Sequence, residues 1–85
     1  MSRTVLLYPL STEKAVRLME THNTLLFVVD KAATKPQIRA AVMDHFDVVV
    51  ADVRTLVTPR GLKRAFVRLG GTSVASDVMA QLGLV

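Results

Sequence analysis

The sequence predicts an α/β domain of the α+β kind: a small antiparallel sheet of three to four strands packed with about three helices, in β-α-β-α-β-β-α order. Three observations carry this expectation. Thr24 to Val29 is an unbroken apolar run of strand length. Thr34-Lys35-Pro36-Gln37 is a helix-start signature, followed by apolar residues at helical spacing. Arg54 to Leu69 alternates on both sides of a turn, which is the pattern of a hairpin.

Taken in order, Val5 to Tyr8 is a short apolar run stopped by Pro9, an extended segment or edge strand. Ser11 or Thr12 offers an N-cap oxygen, and Glu13 lies in a first turn where the helix dipole favours an anion. Ala15, Leu18 and Met19 mark the buried side of a helix from about Thr12 to Glu20, which Thr21-His22-Asn23 ends. In the run that follows, Leu25, Phe27 and Val29 face one way and Leu26 and Val28 the other. Both faces are apolar, so this is a central strand covered on both sides.

The main helix opens on a capping box of the threonine-x-x-glutamine kind, with proline tolerated in the first turn. Ile38, Ala41, Val42, His45 and Phe46 fall at helical spacing, and Asp47 closes the helix. Val48 to Val50 is apolar. Val53, Thr55 and Val57 then alternate with Arg54 and Leu56 along the first arm of the hairpin. The turn is Thr58-Pro59-Arg60-Gly61-Leu62, where proline presets φ and glycine permits a positive one. On the second arm Ala65, Val67 and Leu69 share one face, and Arg64, Phe66 and Arg68 share the other. Gly70-Gly71 punctuates the chain. Ser73 is expected to cap a last helix with Val74, Val78 and Leu82 inward and Gly83 at its end. The whole is ferredoxin-like in general character and reads as one domain over residues 1–85.

At 85 residues the chain can build a single core but not two. Its hydrophobic fraction of 51% argues against disorder. Without cysteine there is no disulfide, no thiol nucleophile and no thiolate zinc site. A formal charge of +4 and a pI near 10.1 suggest a polyanionic partner. No apolar run approaches the roughly 20 residues needed to span a bilayer, and the apolar stretch within Met1 to Pro9 is too short for a signal peptide. The expectation is a cytoplasmic protein.

No residues converge on catalysis. His22 sits at a helix end and His45 beside an apolar stripe, and neither has a serine partner or a second metal ligand at helical spacing. Asp44 and Asp47 flank His45 as solvated carboxylates at a helix end. Gly70-Gly71 lacks the spacing and lysine of a phosphate loop and is read as a turn. No enzyme, metal, cofactor or small-molecule substrate is expected. Arg60-Gly61 with Ala65-Phe66-Val67 approaches the RNA-recognition-motif consensus, but Leu62 and Leu69 stand where that motif needs aromatics. What remains is a scatter of cations: Lys14, Lys31, Lys35, Arg39, Arg54, Arg60, Lys63, Arg64 and Arg68. Arg60, Lys63 and Arg64 cluster at the hairpin tip, and Phe66 lies between Arg64 and Arg68 on the strand. A flat ring between cations suits phosphates and exposed bases. The plainer alternative is a solvated sheet face with Phe66 tucked under a helix.

Three segments resemble the family of the twenty-third protein of the large ribosomal subunit, in its short archaeal or eukaryotic-like form. Tyr8-Pro9-Leu10-Ser11-Thr12-Glu13-Lys14-Ala15 is similar to the family's proline followed by threonine-glutamate-lysine-alanine. Asn23 through Val42 resembles its first long strand running into the main helix. Lys63-Arg64-Ala65-Phe66-Val67-Arg68-Leu69 resembles its signature of two basic residues, a small one, two apolar ones, a basic one and leucine. Gly70 departs from the pattern, which usually has a polar or small non-glycine residue there. The turn at Thr58 to Leu62 is also much shorter than the tunnel-reaching loop of bacterial members.

The resemblance implies a structural protein that binds 23S rRNA near the polypeptide exit tunnel by shape and phosphate contacts, without chemistry on its partner. It implies ribosomal protein twenty-nine as a neighbour and docking of signal recognition particle or other exit-site factors, with Glu13 at the docking surface. The rRNA-binding residues expected on this basis are Lys14, Lys35, Arg39, Arg54, Arg60, Lys63, Arg64 and Arg68. The rival is a free-standing ferredoxin-like ligand- or protein-binding module, which would not need cations gathered on one hairpin tip.

Overall fold

In the computed structural model, which describes residues 4–83, the chain runs β1 (Leu6–Pro9), α1 (Glu13–His22), β2 (Thr24–Val29), α2 (Lys35–Phe46), β3 (Val50–Val57), β4 (Lys63–Leu69) and α3 (Ala75–Gln81). This is the β-α-β-α-β-β-α order that the sequence predicts. The outer positions of the 1–85 span, with Met1, Ser2 and Arg3 of the segment too short for a signal peptide, lie outside the described residues.

The strands form one antiparallel sheet in the order β1-β2-β4-β3. β2 is central because it is apolar on both faces, and all of its residues are buried. β1 is a short edge that ends at Pro9, where a missing N–H costs least. β3 is the other edge, and its ladder with β4 is interrupted between Val50 and Asp52, so that Ala51 is the extra residue of a bulge. The bulge accounts for the glycine after β4. A Cβ on Gly70 would lie 3.2 Å from the Cβ of Ala51, closer than side-chain carbons normally approach.

Register sorts the side chains onto two faces. On the first, Leu25, Val67 and Val53 form one row, Phe27, Ala65 and Thr55 the next, and Val29, Lys63 and Val57 the third. Ile38 and Val42 of α2, Ala75, Val78 and Met79 of α3, and Met19 of α1 close this face into the core. The rings of Phe27 and Phe46 stack with centroids 5.8 Å apart. Each large side chain so buried contributes about 1.5–3 kcal/mol. The apolar stripe of α2 is narrower than its spacing suggests: Ala41 is half-buried and His45 exposed.

Two helices start where the sequence indicates. The Thr12 hydroxyl accepts from the Ala15 N–H at 3.2 Å. At α2 the Thr34 hydroxyl accepts from the Gln37 N–H at 3.3 Å while the Gln37 carboxamide oxygen accepts from the Thr34 N–H at 3.0 Å. α1 runs on to His22 rather than stopping at Glu20. The Thr21 hydroxyl stays within the helix by donating to the Arg17 carbonyl at 2.7 Å, and Asn23 closes it in the left-handed region at φ 51°.

α3 departs from expectation. Ser73 does not cap it, because the Ser73 hydroxyl accepts instead from the Val49 N–H at 2.8 Å. Val74 takes the N-cap position without a side-chain bond. The cap oxygen comes from Asn23, whose Oδ1 accepts from the Ala75 N–H at 2.7 Å. The shift turns Ala75, Val78 and Met79 inward and leaves Val74 and Leu82 exposed, where Val74 and Leu82 were expected inside. Gly83 ends the helix at φ 73°, as expected. No helix of the described residues is long and apolar enough to cross a membrane.

Candidate nucleic-acid interface

The second face of the sheet takes the other parity of each strand. Thr24, Arg68 and Asp52 make one row, Leu26, Phe66 and Arg54 the next, and Val28, Arg64 and Leu56 the third. β2 contributes a buried floor, whereas Arg54, Arg68 and Leu56 are exposed. α1 packs on β2 and sets Lys14, Leu18 and His22, one helical turn apart, beside this face. The Lys14 Nζ lies 5.8 Å from the centroid of the Phe66 ring. Leu18 and His22 line a hollow of about 650 Å³ together with Phe66, Asp52, Arg54 and Arg68. Phe66 is half-buried there, flanked by the helix yet still part of the hollow's wall.

Each cation on this face has a distinct environment. Arg54 Nε lies 3.4 Å from Asp52 Oδ2 with its side chain 82% exposed. Such an exposed pair is worth under about 1 kcal/mol, so the guanidinium remains available to a ligand. Arg64 is half-buried, and its Nε–H is buried with no hydrogen-bond partner among the described residues. An unpaired buried donor costs about 1–3 kcal/mol. Arg68 is exposed, directly across the ladder from Asp52.

The hairpin tip does not hold its cations together. Lys63 and Arg64 are consecutive on a strand and so point to opposite faces. Lys63 lies on the core face between Val29 and Val57, and its ammonium donates to the Ala33 carbonyl at 2.6 Å. Arg60 is exposed in the turn, which is held by the Thr58 N–H donating to the Leu62 carbonyl at 2.8 Å and the Gly61 N–H donating to the Thr58 carbonyl at 2.9 Å. Lys31, from the loop after β2, also reaches the turn. A Cβ on Gly61 would sit 3.2 Å from the Lys31 Nζ. Lys31 belongs to the scatter of cations but not to the expected binding set, and no local signal in the sequence ties it to the turn.

Lys35 and Arg39 are exposed on the first turns of α2 and border a smaller recess with Ala51, Asp52 and Val53 at the β3 edge. Glu13 opens α1 with its side chain 90% exposed, 3.4 Å from Arg17 and off the line of Lys14, Leu18 and His22. His22 Nδ1 is 2.7 Å from the Thr21 hydroxyl, and the exposed His45 ring meets Phe46 edge-on with centroids 5.4 Å apart. Among the described residues no group of three His, Cys, Asp or Glu could hold a metal ion. Asp52 is the residue the sequence reading missed. Its signal was its parity, which it shares with Arg54.

The model of the family described as ribosomal protein L23 matches residues 4–81. A large ribosomal subunit protein uL23 from Methanococcus aeolicus is 42% identical over 80 residues, covering 94% of this chain and 93% of that protein. Proteins of the same description from two strains of Methanococcus maripaludis are each 43% identical over 76 residues, covering 89% of this chain and 88% of theirs.

Proposed function

The chain belongs to the ribosomal protein L23 family, and from that premise we propose that it binds 23S rRNA near the polypeptide exit tunnel through the second face of its sheet. Membership makes it a structural constituent of the large ribosomal subunit, hence cytoplasmic, and not an enzyme. It also sets aside the free-standing ligand-binding module. In this reading the chain acts as one domain over 1–85, with ribosomal protein twenty-nine beside it.

The observation that supports the interface is the ladder register, which places Arg54, Arg64 and Arg68 around Phe66 with Lys14 over the ring. Guanidinium groups held on a rigid sheet suit phosphate and sugar contacts, which fix position without reading sequence. The unpaired Arg64 Nε–H adds a reason for that side chain to move toward an anion. Arg60 with Lys31 at the tip, and Lys35 with Arg39 at the β3 edge, extend the basic surface around the hairpin. Lys63 braces the core side. Glu13, displayed on α1 beside Arg17 and off the line of Lys14, Leu18 and His22, serves signal recognition particle or other exit-site factors.

Salt dependence tests the interface. Each phosphate neutralised should contribute about 0.7–0.9 log unit of affinity per log unit of salt. Changing Arg54 and Arg68 together to alanine should weaken binding to a 23S rRNA fragment and flatten that slope by roughly one to two. Weaker binding with an unaltered slope would mean that shape, not phosphate contact, had been lost, and would overturn this assignment.

A further inference from the structure

We propose that the hollow between α1 and β3 takes one unstacked nucleobase of the RNA, seated against Phe66 with its N–H edge on Asp52, and that this base is guanine. The proposal rests on the RNA-binding reading above and specifies what occupies one part of that surface.

Four features converge on such an occupant. The hollow measures about 650 Å³, within the roughly 300–1,000 Å³ usual for small organic ligands, and it opens on the same face as the arginines. Its wall includes an aromatic ring and the aliphatic side chain of Leu18, surfaces on which a base extruded from single-stranded RNA stacks. Arg54 and Arg68 border it, placed for the phosphates on either side of one nucleotide. The fourth feature is the least expected: a carboxylate sits among these cations.

A carboxylate on an RNA-facing surface repels phosphate, and Arg54 beside Asp52 satisfies only part of it. The Asp52 side chain is 44% exposed, and its contact with Arg54 is long at 3.4 Å, which leaves acceptor positions open. Guanine offers N1–H and the 2-amino group side by side, matching both carboxylate oxygens. Adenine and cytosine each present a single amino donor on that edge. Uracil presents one imino donor between two carbonyls, which a carboxylate repels. The same residue that weakens phosphate binding therefore selects a base.

The test uses a short single-stranded oligouridine with one central guanosine, beside copies carrying central inosine or adenosine and an RNA duplex, with affinities from fluorescence anisotropy. Inosine lacks only the 2-amino group, and its copy should bind about fivefold or more weakly than the guanosine copy. Phe66→Leu should weaken the guanosine strand by about fivefold or more, and by more than it weakens the duplex. Asp52→Asn, a conservative change at a half-exposed position, should erase the difference between guanosine and inosine while keeping stacking. Equal wild-type affinity for all three single strands, or a guanosine preference that survives Asp52→Asn, would overturn the proposal and leave the hollow to a non-RNA occupant. The salt slope on the rRNA fragment is read separately: an unaltered slope in the Arg54 and Arg68 double variant would sink the underlying interface, and a flattened one would confine the failure to the base.

Discussion

Asn23 Oδ1 accepts from the Ala75 N–H at 2.7 Å across 52 positions of sequence. The same carboxamide donates to the Ser73 carbonyl at 2.8 Å and to the Leu69 carbonyl at 3.3 Å. One residue thus ends α1 through its backbone, in the left-handed region that asparagine tolerates better than most residues, and starts α3 through its side chain.

Replacing Asn23 separates these roles. Asn23→Gly keeps the left-handed backbone and removes the carboxamide, with an expected cost of about 1–3 kcal/mol. Asn23→Ala adds about 1–2 kcal/mol for the strained φ. Urea denaturation should rank wild type above glycine above alanine. A glycine variant as stable as wild type would show that the clasp on α3 contributes nothing.

Phe27 lies at the middle of the core, 2% exposed and stacked on Phe46. Phe27→Ala should cost about 3–5 kcal/mol, a large share of the roughly 5–15 kcal/mol that holds a domain together. A thermal melt within a few degrees of wild type would contradict the packing described.

Lys63 is expected to matter for stability and not for RNA. Lys63→Met keeps the apolar stem between Val29 and Val57 and removes the donor to the Ala33 carbonyl, for a loss of about 1.5–3 kcal/mol. Its salt slope on the rRNA fragment should equal that of wild type. A flattened slope would make Lys63 a phosphate contact instead.

Glu13→Ala should leave ribosome incorporation intact, because the exposed pair with Arg17 contributes under about 1 kcal/mol. Binding of signal recognition particle to the mutant ribosomes should weaken. Unchanged affinity would reduce Glu13 to a residue that favours the helix dipole.

Much of this was legible because it is local. The doubly apolar run of β2, the Thr34–Gln37 capping box and the alternation of β4 each follow from neighbours a few residues apart. What failed depended on distant partners. Ser73 has the chemistry of an N-cap, but the Val49 N–H takes its hydroxyl and Asn23 supplies the cap oxygen. The bulge at Ala51, which brings the Ala51 Cβ close to Gly70, has no signature in either segment alone. The tip cluster divides for a local reason. Arg60, Lys63 and Arg64 are close in sequence, but the alternation that places Ala65, Val67 and Leu69 in the core puts Lys63 on the core side too. The set on the open face needs the ladder between β3 and β4, and Lys14 over Phe66 needs the helix docked.

The pairing of β2 with β4 has a consequence for the order in which the chain leaves its own ribosome. Leu25, Phe27 and Val29 pair with Val67, Ala65 and Lys63, some forty residues further on. During synthesis Thr24-Leu25-Leu26-Phe27-Val28-Val29 therefore emerges after α1, which packs on one of its faces, but with one backbone edge uncovered. It carries no charge and no proline, the composition that most readily adds to a strand of another chain. It stays so until the signature segment Lys63 to Leu69 has followed it out. A nascent chain stalled between Asp30 and Lys63 would be the aggregation-prone species, and the basic strand that closes the sheet is also what ends its exposure.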